Sequence, residues 1–237
     1  MSLHLVALVV AANDPPSLVR FWAGLLGRET DEDGLTLLPD ESTGLRITFE
    51  RTDVPKAGLD RMHLHLTSAS HEDQRATVDR VLELGGHHLD VGQRPEEGHV
   101  VLADPEGNEF CVTEPGNAYL AGCGFLGELA CDGSREVGRF WSGALGWPLV
   151  WDRDEETAIQ SPAGGTKISW GGPPVAPKVG RNRLHLDVAP RAQGDQVTEV
   201  DRLVALGATQ VDDGRRTAPG VMMADPDGNE FCVLTPR

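Results

Sequence analysis

Two histidines stand two residues apart, His63 and His65, and a cysteine follows at Cys111. In the second half of the chain His185, Asp187 and Cys232 echo that arrangement. Imidazole, thiol and carboxylate are the side chains that bind borderline metals, carry protons near neutral pH or, as a thiolate, attack carbon. Alternate residues of a strand share a face, so His63 and His65 point the same way if that segment is extended. With Cys111 or Glu109 they could form a metal set. Cys111 beside His63 could equally be an activated nucleophile, or a small buried side chain of a half-polar cleft. Asp187 replaces His65 in the second half, so the full constellation occurs once.

These residues sit in a tandem repeat. RFWAGLLG at 20–27 is answered by RFWSGALG at 139–146, and ADPEGNEFCV at 103–112 returns as ADPDGNEFCV at 224–233, with nine of ten residues identical. HLHLT at 63–67 answers HLDVA at 185–189 more loosely. Separations of 119 (Trp22 to Trp141), 122 (His63 to His185) and 121 (Asp104 to Asp225) leave room only for small loop changes. The join falls near 114–124, in EPGNAYLAGCG, which predicts domains at 1–118 and 119–237.

Each half predicts two helices. Asn13-Asp14-Pro15 reads as a cap with Pro at the first helical position, and Leu18, Phe21, Trp22 and Leu25 follow helical spacing to Gly27. Ser70 caps a second helix carrying Val78, Val81 and Leu82. Val137, Phe140, Trp141 and Leu145, then Val197, Val200 and Val204, repeat both. Around them Leu45, Ile47 and Phe49, then Met62, Leu64 and Leu66, alternate with polar residues, as strands with one packed face do. Asp104-Pro105-Glu106-Gly107 has the residues of a type I turn. The helix tryptophans read as core, Trp170 as packed on the helix side, and Trp151 as a residue of a cleft mouth.

Composition narrows the function. With 37 Asp and Glu against 21 Lys and Arg, the formal charge is −16, which disfavours nucleic acid and anionic membranes as partners. The longest apolar stretches fall short of the roughly 20 residues needed to span a bilayer, and the start lacks a basic leader. The expectation is a cytoplasmic protein with free thiols.

The helix motif after a first strand, the histidine on a mid-domain strand and the DPxGN turn before the last strand together resemble the vicinal oxygen chelate superfamily, in its glyoxalase-like, bleomycin resistance and dioxygenase branch. The resemblance covers nearly the whole chain, once per half. It implies an α+β fold of tandem glyoxalase-like domains, each of two βαβββ modules forming an incomplete barrel around a cleft. Enzymes of that superfamily hold a divalent metal with His and Glu; some members bind drugs without chemistry. Carried over, the ligand positions fall near Ala7 and Leu126, at Arg46 and Lys167, at His63 and His185, and at Cys111 and Cys232. Only the histidines match, and Arg46 and Lys167 oppose a cation.

The expectation is therefore a protein that binds a small organic molecule in a cleft, without the usual metal and without a cofactor, as a monomer or homodimer. It would serve as a binding or resistance protein or as a metal-independent enzyme, with no catalytic residue assigned. The ligand-binding candidates are Arg46, His63, His65, Glu109 and Cys111 in the first half, and Lys167, His185, Asp187, Glu230 and Cys232 in the second. Arg46 and Lys167 would anchor a carboxylate or enolate. The alternative is a metal-dependent lyase or dioxygenase with displaced ligands around His63 and His65.

Overall fold

The computed structural model describes residues 3–40, 44–94, 96–175, 177–211 and 220–237. The first half runs β1 (His4–Ala12), α1 (Pro15–Leu26), β2 (Thr36–Leu37), β3 (Ile47–Arg51), β4 (Met62–Leu66), α2 (His71–Glu83), β5 (His87–His88), β6 (Val100–Ala103) and β7 (Glu109–Val112). The second half repeats it as β8 (Leu126–Cys131), α3 (Arg135–Leu145), β9 (Leu149–Arg153), β10 (Glu156–Gln160), β11 (Lys167–Trp170), β12 (Leu184–Ala189), α4 (Gln196–Ala205), β13 (Thr209–Gln210), β14 (Val221–Ala224) and β15 (Glu230–Val233). The architecture is α+β in tandem, with four helices on two open sheets.

Local chemistry sets the elements. Asp14, one residue later than the first Asn of the motif, caps α1, and Gly27 ends it in the left-handed conformation. Ser70 caps α2 through the Asp73 amide. Trp22 and Trp141 are buried, and their indole N–H groups donate to Asp104 Oδ2 (3.1 Å) and Asp225 Oδ2 (3.3 Å). The repeated turn Asp is thus more than a turn former: Asp104 Oδ1 also accepts from the backbone of Glu106 and Asn108. It locks helix, turn and last strand together.

The sheets do not follow the halves. One has the order β13-β14-β15-β12-β1-β3-β2 and the other β5-β6-β7-β4-β8-β11-β10-β9. Each therefore joins a module from one half to a module from the other, through antiparallel seams β1–β12 and β4–β8. That regroups the candidates: Arg46, assigned to a first-half set, lies with His185, Asp187 and Cys232, whereas Lys167 lies on the sheet of His63, His65 and Cys111. Strand pairing, which a repeat alone does not specify, decides this.

Candidate functional site

Register builds the site. His65 on β4 pairs with Cys111 on β7 and with Glu128 on β8, and Glu128 pairs with Lys167 on β11. The row Cys111, His65, Glu128, Lys167 therefore crosses one sheet. In the other sheet Asp187 pairs with Cys232 and with Ala7. Glu128, not Leu126, is thus the counterpart of Ala7. Trp141 lies 13 positions after Glu128, whereas Trp22 lies 15 after Ala7, so counting back from the tryptophans lands two residues early.

Glu128 is buried, and its Oε2 lies 2.7 Å from His65 Nδ1. His65 Nε2 lies 2.9 Å from His63 Nε2. Burial opposes a charge on His65, but its hydrogen bonds to Cys111 and Glu128 and the carboxylate's charge outweigh that and push its pKa up to about 10. Burial, then the neighbouring His65 charge, pushes His63 down to about 4. An imidazolium at His65 donates from both nitrogens, to the carboxylate and to a neutral His63. Glu128 is held below the usual carboxylate range: burial alone would raise it, and the His65 contact, with hydrogen bonds from Ser169 and Tyr119, prevails. Donor atoms of His63, His65 and Cys111 all lie within 4.8 Å of one another.

Two hollows meet at this cluster. The larger, about 970 Å³, is lined by His63, Cys111, Glu109 and Val101 and by the loops 52–61 and 177–183. Val54, Leu59 and Val179, all exposed, give those loops an apolar surface. The smaller, about 410 Å³, has His63, His65 and Glu128 with Tyr119, Trp151 and Ser169. Trp170 also lines it, its ring packed on Gly133. Lys167 does not reach in: its ammonium donates to the Tyr119 carbonyl and lies 4.5 Å from the Tyr119 ring centroid.

Glu109 and Glu230 act on the loops. Glu109 accepts from the Asp60 amide and lies 2.9 Å from Lys56 Nζ, and Glu230 makes the corresponding contacts with Asn182 and Lys178. The second sheet encloses about 320 Å³ between Arg46, Thr48, His185, Asp187 and Cys232. There His185 Nε2 is 3.4 Å from Asp187 Oδ1, and Arg46 is engaged by Asp31 at 2.9 Å. The sequence reading missed Glu128, Tyr119, Asp60 and Arg61. An acid inside the apolar LGELAC and the unnoticed repeat of PKAGLDRMH (55–63) as PKVGRNRLH (177–185) were the available signals.

A family model described as a glyoxalase-like domain matches twice, over residues 7–113 and 128–234. No curated protein matches the sequence. Among solved structures, a V278E mutant of glyoxalase I from Zea mays aligns over 99% of this chain and 92% of its own, with 13% identity and a TM-score of 0.66. A putative dioxygenase from Bacillus subtilis aligns over 99% and 85%, with 17% identity and a TM-score of 0.60. At such identities the likeness is one of fold. The two family matches between them take in most of the chain, which belongs to the glyoxalase-like branch of the vicinal oxygen chelate superfamily as a tandem two-domain member.

Proposed function

We propose that this chain binds a small organic molecule in the larger hollow, with the ligand's polar end at His63 and Cys111. The hollow itself carries the reading: about 970 Å³ suits a drug-sized ligand, and aliphatic walls with a few polar groups at one end are what such sites present. A thermal-shift screen with organic acids and cationic glycopeptides tests it. Ligands should raise the melting temperature, and Val101→Trp, which fills the space, should abolish the rise. If no class raises it in the unaltered protein, the reading fails.

A second reading, metal-assisted lyase or dioxygenase chemistry, is favoured by the His63, His65 and Cys111 cluster. Two imidazoles and a thiol suit zinc or iron. Those three would hold the ion, and Glu128 would orient His65 from behind. A bound ion supplies Lewis-acid polarisation of a ligand oxygen. Lys167, expected to oppose a cation, is turned onto Tyr119. Metal analysis of protein purified without chelator decides: near one equivalent, lost in His65→Ala, supports this reading, and no retention after incubation with zinc or iron removes it.

A further inference from the structure

Arg61 and Arg183 hold equivalent places in the repeated loops, both are buried, and both line the large hollow. Their partners differ. Arg183 donates from Nε to Asn108 Oδ1 (3.3 Å), from Nη1 to Asn13 Oδ1 and the Val54 carbonyl (3.2 Å each), and from Nη2 to Glu106. Among the described residues Arg61 donates once, from Nη1 to the Asp227 carbonyl (3.1 Å), and its Nε has no partner although the residue is only 8% exposed.

The sequence explains the difference. Ser134 stands in the place of Asn13. Asp227, a methylene shorter than Glu106, spends its carboxylate on the Ser134 amide. Asn229, the counterpart of Asn108, accepts from Asn182 instead. Leaving guanidinium donors unspent in a buried wall costs free energy that a ligand oxyanion would recover.

We propose that Arg61 is the anion anchor of the hollow, taking the carboxylate of an organic acid whose apolar body lies between the loops 52–60 and 177–183. This rests on the small-molecule reading above. A guanidinium presents a planar fork that matches a carboxylate's two oxygens, which an ammonium does not. The two cations first expected to anchor an anion, Arg46 and Lys167, are already engaged by Asp31 and Tyr119. Of the acids that line the hollow, Glu109 and Asp60 lie 2.9 and 3.4 Å from Lys56 Nζ, and Asp132, which occupies the place of Ala11, makes no ion pair with Arg61 among the described residues. Burial raises its carboxyl while Arg61 draws it down, so its repulsion of a ligand anion is blunted.

The probes are 4-phenylbutanoate and its neutral amide, titrated calorimetrically into the full chain. The acid should bind about tenfold more tightly than the amide, that preference should vanish in Arg61→Gln with amide binding kept, and Arg61→Lys should restore part of it. Asp132→Asn, which removes the acid beside Arg61, should tighten the acid and leave the amide unchanged. Equal binding of acid and amide, or a preference surviving in Arg61→Gln, overturns the anchor while the hollow remains a ligand site. Binding of neither probe overturns the anchor, and failure of the wider thermal-shift screen as well removes the binding reading. If Arg61→Gln does not fold, Arg61→Lys decides: an acid-over-amide preference undiminished in it overturns the proposal.

Discussion

Glu128 sets the charge balance of the histidine pair. With the Cys111 hydrogen bond, its carboxylate, buried and 2.7 Å from His65, keeps that imidazole protonated. Glu128→Gln should cost about 1–3 kcal/mol in urea denaturation at neutral pH, since it weakens a buried charge-assisted bond without a change of shape. No loss would show that the pair is not formed. Asp60 gives a second test. Burial, then the hydrogen bond and charge of Glu109, raises its pKa to about 8, with Lys56 pulling the other way. A carboxyl raised in the folded state holds its proton from about pH 4 to 8 while the unfolded chain has lost it. Its contribution is full below the unfolded value and is lost as pH rises through the folded one. Stability should therefore fall progressively between about pH 4 and 8, and Asp60→Asn, which copies Asn182, should flatten that fall in melting curves. An unchanged slope would refute the assignment. Among the thiols, Cys111, Cys131 and Cys232 are buried and Cys123 is partly exposed, so a bulky maleimide should label Cys123 first by intact mass. First labelling of Cys111 would contradict its placement. Of the partners the sequence offered the two histidines, Cys111 or Glu109, it is Cys111 whose donor atom lies within 4.8 Å of both. Glu128 was missed because the stretch from strand to helix tryptophan is two residues shorter in the second half, which moves a strand position by two.

At the scale of elements, α3 lies close on β10. A Cβ added at Gly138 would meet Thr157 Oγ1 at 2.0 Å and Cβ at 2.5 Å, whereas the helix position in the first half is Val19. Gly138→Ala gains about 1 kcal/mol of helix propensity but overpacks a buried contact, so a net loss of about 1–3 kcal/mol is expected by thermal denaturation. A gain in stability would mean the helix stands farther off. All four helices were legible because apolar spacing, an N-cap or a terminal glycine marks each one. The two-residue strands β2, β5 and β13 were not, being too short to show alternation. The loops 52–61 and 177–183, which carry the hollow's apolar lip and Arg61, have no periodicity at all and were visible only as a repeat.

Across the whole molecule, the halves share both sheets, and neither half contains a complete one. Cutting the chain within 114–124 and co-expressing the pieces should yield a complex that copurifies through a tag on one piece, because the seams β1–β12 and β4–β8 bury apolar rows on both sides. Two pieces that purify separately as folded monomers would show that each half closes on itself. The 237 residues alone determined the tandem architecture, the helix faces, the turn before each last strand and the residue types able to do chemistry, since these rest on local spacing and on a repeat. No helix among the described residues is long and apolar enough to cross a membrane, a point hydropathy settles without coordinates. Only the tertiary structure decided which module meets which. A strand edge pairs equally well in principle with either module of like twist, so no local pattern in β1 or β4 names its partner. That choice brought Glu128 to His65, took Arg46 away from His63, and left Arg61 Nε without a partner among the described residues in the wall of the hollow.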